Sequence, residues 1–262
     1  MRHIQHPGKP SRDPVVAIPC RALSFDAVLE PGRTLLDAIG QVIQARGLKC
    51  GVLRLSGGAL ESFCYYMPAL SQTPDHAVYF SQRYDVAGRV SLESASVTYG
   101  QRDGQPWLHC HAVWIEADGA RKCGHLIPDV NWVATPIQAA VTVIDQAVFT
   151  VTPDSESNFS LFVPIASPAE NSAHMPQSIQ STQATAIQSA PQAFAVRLAP
   201  NIDVCEALEN LCSQLDLDQV EILGGVGSTV GAVFDDGQVV EPFVTEILIR
   251  QGQIQRTQHA GY

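Results

Sequence analysis

The stretch HCHAVWIEADGARKCGH, from His109 to His125, holds three of the chain's eight histidines. His109 and His111 are separated by one residue, Cys110. On a β-strand, positions i and i+2 share a face. The two imidazoles therefore point the same way, about 6.5–7 Å apart along the backbone, and can converge on one cation. Three neutral imidazoles suit Zn²⁺ first and also accommodate Ni²⁺, Fe²⁺ or Cu²⁺. Three protein ligands with a vacant position are the arrangement of catalytic zinc sites, whereas structural sites are closed by a fourth ligand. Against this stands a plainer reading, in which the histidines are hydrogen-bonded inside a strand core and hold no ion.

Between these readings the deciding feature is the turn EADGAR. A two-residue loop of Asp118 and Gly119 pairs Ala117 with Ala120 and leaves His125 facing Ala112, on the other side of the sheet. A three-residue loop of Ala117, Asp118 and Gly119 pairs Glu116 with Ala120. His125 then sits opposite His111, and all three histidines share a face. The longer loop wants glycine at its left-handed position, where Gly119 falls, but Asp-Gly suits the shorter loop too. A slip of one residue moves every side chain to the opposite face, so a metal site requires the three-residue loop. In that register Cys123 shares the histidine face and is a candidate fourth ligand, Cys110 faces away, and Glu93 is a candidate acceptor for an imidazole N–H.

Other chemistry-bearing residues are less organised. His3, His6, His174 and His259 fall in polar tails or a linker and are expected to be solvated, and His76 lies in an expected loop. SGG at 56–58 and GVGS at 225–228 are not followed by a lysine-bearing helix start, so they read as strand-end turns rather than phosphate cradles. Ser56 is not the serine of a GxSxG elbow, and HExxH is absent from the sequence.

The elements that must position the hairpin have a repeating order. FDAVLEPGRTLLDAIGQVIQARGLKCGVLRLSGGA, from Phe25, aligns without a gap with FAVRLAPNIDVCEALENLCSQLDLDQVEILGGVGS, from Phe194. Each predicts strand, helix, strand and glycine turn, one unit used twice. Leu35, Leu36, Ile39, Val42 and Ile43 recur at helical spacing, with Gly47 past the helix end. Val204, Leu208, Leu211, Cys212 and Leu215 do the same after a predicted N-cap at Asp203. The first unit continues through strands around Ala77–Tyr84 and Val90–Tyr99, the histidine hairpin, and Trp132–Val151. The second has no counterpart of the hairpin and is expected to carry no metal site. As a fragment with unpaired strand edges, it is expected to pack on the first unit or on a neighbouring subunit. Between the units, residues 163–193 are rich in Ser, Ala, Gln, Thr and Pro and read as a flexible linker. The expected organisation is a polar tail over 1–20, a domain over 21–162, the linker, and a partial repeat over 194–262.

Composition bounds the partners. Net charge is −10 with 16% charged and 45% hydrophobic residues. A chain that grips nucleic acid through phosphates needs a basic stripe. The one basic cluster, Arg2, Lys9, Arg12 and Arg21, is thin and interrupted by Asp13. No apolar run approaches the ~20 residues of a membrane-spanning helix, and the N-terminal residues carry no apolar signal core. Seven cysteines without a CxxC pair predict reduced thiols and a cytoplasmic setting.

LRLSGGALES at 53–62 and LESASVTYGQRDGQPWLHCHAVWIEADGARKCGHLIPDVNWVAT at 92–135 together resemble the PPC domain, conserved in plants and prokaryotes. The resemblance spans about Phe25 to Val151, with a weaker half-copy over Phe194 to Gln255. It implies an α+β, sandwich-like domain with a largely antiparallel sheet flanked by helices, assembled as a trimer. Bacterial members carry the histidine set without a defined biochemical role. For this chain that implies a zinc or other divalent transition-metal site that binds a small ligand or supports metal-assisted chemistry. Plant members follow an AT-hook and bind DNA, which makes a DNA-binding regulator the alternative. This chain has no RGRP hook core, and Cys123 stands where the family usually has a second glycine before GHL.

Overall fold

The structure is a computed structural model that describes residues 2–168 and 192–255. Its elements follow the alternation of apolar and polar residues along the chain. The longer ones are β1 (Val15–Leu29), α1 (Leu35–Gln44), β2 (Gly51–Ser56), β3 (Val90–Arg102), β4 (Gln105–Ile115), β5 (Arg121–Leu126), β6 (Ile137–Asp145), β7 (Ala147–Pro153) and β8 (Ser160–Ala166). After the undescribed residues come β9 (Gln192–Leu198), α2 (Val204–Gln214), β10 (Gly225–Thr229) and β11 (Thr245–Ile249).

The main path of the sheet runs β9–β1–β6–β2–β3–β4–β5, then the short strands Cys64–Tyr66 and Tyr84–Asp85. Pairing is antiparallel apart from a single parallel bridge, Thr150 to Gln101, among the described residues. A largely antiparallel sheet with two short helices is thus the architecture, with less helix than an α/β sandwich would have.

One face of the sheet builds the core. Strand periodicity sends Leu108, Cys110, Ala112 and Trp114 of β4 to that face, all essentially sealed from solvent. Trp114 packs on Phe63 and Tyr65 with ring centroids 4.8 and 4.6 Å away. Leu35, Ala38, Ile39 and Ile43 form the buried stripe of α1. Thr34 caps that helix by accepting from the Asp37 amide at 3.1 Å. Asp203 caps α2 by accepting from Glu206 N at 3.0 Å, as its position predicts. α2 buries only Cys212, so its apolar stripe is far less covered than that of α1.

The opposite face carries a cross-strand row in which Arg54 pairs with Ser96, Ser96 with His111, and His111 with His125. The C-terminal segment covers this row. Arg54 Nη1 donates to Arg250 O at 2.8 Å, Gly225 N donates to Ser96 Oγ at 3.3 Å, and Ile247 O contacts His111.

Several expected boundaries move. Val15–Cys20, expected as tail, is the first part of β1 and pairs with β9. The rest of the tail is pinned too: Ile4 N donates to Asn201 Oδ1 at 2.7 Å, Gly8 N to Glu156 O at 2.9 Å, and His6 is buried. Val163–Ala166, expected as linker, lies in β8, which pairs only with β7. An edge strand tolerates Pro164, because no neighbour needs its missing N–H, and this hid the strand. Residues 169–191 lie outside the described residues. GVGS at 225–228 is not a turn but part of β10, paired with β11. α2 starts 169 residues after α1, the offset of the sequence alignment. The sheets differ, however: β2 is central, whereas Gln219–Ile222 pairs only with Gly252–Gln255.

Candidate metal centre

The β4–β5 hairpin adopts the three-residue loop. Glu116 N donates to Ala120 O at 2.9 Å, and Gly119 N to Glu116 O at 2.9 Å. Gly119 has φ +83°, the left-handed conformation that a side chain disfavours. His125 is consequently the register partner of His111. Gly124, beside it, is required by close packing: a Cβ there would lie 2.9 Å from Tyr66 O, closer than real contacts allow.

All three histidines converge, with one ligand-capable nitrogen from each lying within 4.8 Å of the others. His109 Nε2 is 3.0 Å from His111 Nε2. His111 is buried, and His109 and His125 are half-buried. Phe80 walls the group beside His125, with ring centroids 5.0 Å apart.

Burial holds the imidazoles neutral. His109 lies well below its ordinary value because of desolvation, reinforced by His111 and His125. Desolvation pushes His111 down to about 4, opposed by its hydrogen bond to Ile247 O. His125 is pushed down to about 3 by burial and then by His111. A carbonyl can only accept, so Nδ1 of His111 carries its proton and donates to Ile247 O at 2.8 Å. That leaves the His111 Nε2 lone pair facing the cluster, the tautomer and orientation a metal ligand needs.

Two sequence candidates stand elsewhere. Cys123 is exposed and outside the cluster. Glu93 is the extra residue of a β-bulge between Leu92 and Ser94, so it turns out to solvent, where Arg121 donates to it at 2.7 and 2.8 Å. Cys110 faces the core, as the register requires. His3 is exposed, whereas His6 is buried rather than solvated. His76 packs against Tyr79 and Phe159 with tilted rings and contacts Ser157 O through Nδ1 at 3.0 Å. His174 and His259 lie outside the described residues.

The residue that sequence reasoning missed is Glu246, on β11. Its Oε1 is 3.6 Å from His111 Nε2, and the two side chains are 11% and 3% exposed. Desolvation raises its pKa to about 7. The available signal was a lone acid inside the apolar run FVTEILI, a charge on an otherwise core-like strand.

The donor set fits a divalent transition metal. Among the described residues, His125 Nδ1 and Glu246 Oε2 are buried without a hydrogen-bond partner. Orphaned polar groups of this kind cost roughly 1–3 kcal/mol each. A cation among neutral imidazoles and a carboxylate would relieve that cost and draw the carboxyl toward its charged form.

A sequence profile described as the Plants and Prokaryotes Conserved (PCC) domain matches residues 24–145. No curated protein matches the chain. A structure of a metal-containing protein from Archaeoglobus fulgidus aligns with 62% of this chain and 99% of its own, at 15% identity and a TM-score of 0.45. A plant- and prokaryote-conserved protein from Pyrococcus horikoshii aligns with 58% of this chain and 97% of its own, at 16% identity and 0.43. A Bacteroides thetaiotaomicron protein, described provisionally as DNA-binding, aligns over 53% and 91%, at 11% identity and 0.40.

Proposed function

We propose, on the match of residues 24–145 to the PCC domain, that the protein is a metal-binding, oligomeric member of that family. Zn²⁺ is its preferred ion, held by His109, His111 and His125. The observation that carries this reading is the hairpin register, which sets His125 opposite His111. The neutral state of the three rings supports it, because a protonated imidazole has no lone pair to give. Assembly as a trimer and the status of 194–262 as a partial second copy rest on the family resemblance and the gapless alignment. The centre binds a small ligand or supports metal-assisted chemistry. A DNA-binding role gains no support from the net charge of −10.

The test is metal content. Protein purified without a His-tag should hold about one equivalent of transition metal per chain, and a triple His109→Ala, His111→Ala, His125→Ala variant only traces. Trace metal in both proteins, even after incubation with Zn²⁺, would remove the reading.

A further inference from the structure

Glu246 reaches His111 from a different part of the chain, 121 residues beyond His125. It does so because β10 and β11 lie over the outer face of β3 and β4, tied there by Gly225 to Ser96 and by Ile247 to His111. We propose that Glu246 is the fourth ligand of the metal centre and that β11 closes the site, so two distant segments of one chain complete it. This rests on the three-histidine reading above.

Four observations carry it. Donor atoms 2.0–2.1 Å from a tetrahedral zinc are about 3.3 Å from one another. Glu246 Oε1 and His111 Nε2 are 3.6 Å apart, a few tenths of an ångström from that spacing and too long for a good hydrogen bond. Glu246 Oε2 is buried and has no partner among the described residues. The same strand also supplies the Ile247 carbonyl that fixes the His111 tautomer, so β11 provides both a ligand and the group that orients another. Finally, Cys123, the alternative fourth ligand from the hairpin itself, points to solvent.

The chemical consequence is specific. Three imidazoles and one carboxylate around a divalent cation make a closed, four-donor centre with a net charge of +1. A small ligand then gains the metal only by displacing Glu246 or lifting β11, so the C-terminal segment governs access to the site.

The test uses the full-length, tag-free protein, stripped of metal and reloaded with Co²⁺ or Zn²⁺. Two readouts are followed: the visible cobalt spectrum with and without azide, and zinc affinity by chelator competition. Wild type should give a four-coordinate cobalt spectrum that azide leaves unchanged. The isosteric Glu246→Gln variant should lose roughly tenfold or more in zinc affinity, and its cobalt spectrum should become azide-sensitive. A wild-type spectrum that shifts with azide overturns the proposal without any variant. So does a Glu246→Gln protein that matches wild type in spectrum and affinity while the triple histidine variant loses its metal. In both cases the three-histidine reading stands. If wild type binds no metal at all, that reading fails and this one with it.

Discussion

His111 is the most constrained residue of the centre. It is buried, paired in register with His125, hydrogen-bonded to Ile247 O, and flanked by His109 and Glu246. Its protonation should be visible in the stability of the metal-free protein. His111 titrates near 6.5 when unfolded and about 4 when folded, and His125 falls further, to about 3. Both folded values are depressed, so between pH 6.5 and about 4 the unfolded chain takes up protons that the folded chain refuses. Stability from these groups is therefore complete above 6.5 and is lost as pH falls. Glu246 acts in the opposite sense. Its value rises from 4.5 to about 7, so its contribution is complete below 4.5 and declines as pH rises toward 7. Three imidazoles outweigh one carboxyl, and the melting temperature of metal-free protein should drop between pH 6.5 and 4. The triple His→Ala variant should show a flatter profile over that interval, measured by thermal unfolding. Equal slopes in the two proteins would mean that the rings are not held neutral by the fold.

At the scale of elements, the hairpin converts a one-residue choice into a site. Alternation along β4 was enough to place His109 and His111 on one face and Cys110 on the other, because strand periodicity is local. It could not choose between loops, since Asp118-Gly119 suits both. The choice falls to the three-residue form in which Arg121 pairs with Ile115, and Gly124 and Leu126 are buried. In the alternative register the charged Arg121 and the exposed Cys123 would exchange faces with Gly124 and Leu126, burying polar groups and exposing apolar ones. Gly119→Val, forced to hold φ +83°, should destabilise the protein by about 1–2 kcal/mol. Gly119→Asn should cost less, because asparagine tolerates the left-handed region. Denaturant unfolding of both variants checks this, and equal losses would mean that the turn conformation is not what the glycine supplies. Glu93 shows the complementary case. Its acid was legible, but the bulge that turns it outward was not, because bulges arise from pairing between strands.

At the scale of the whole molecule, the C-terminal segment is joined to the first domain through β9 on β1, through β10 and β11 over the histidine face, and through a part-buried ion pair. Arg197 of β9 donates to Asp154 at 2.8 Å, with side chains 13% and 11% exposed. Burial alone would raise the Asp154 carboxyl, but hydrogen bonds from Ser157 and Arg197 outweigh it and hold the value below the ordinary one. Arg197→Ala should lower unfolding stability by about 2 kcal/mol, since a hydrogen bond to a charged group is lost in a poorly screened place. An unchanged urea midpoint would show that β9 holds without it. Length, charge and periodicity determined much about this protein by themselves: a β-rich domain, two capped helices, paired histidines on one strand face, and one glycine on which the third depends. These are local properties, written within a few residues of one another. Only the tertiary structure decided the hairpin register, the burial of His6, the outward turn of Glu93 and Cys123, and the arrival of Glu246 beside His111. Each of these depends on which surfaces the whole sheet must cover, a balance of burial that no short stretch of chain contains.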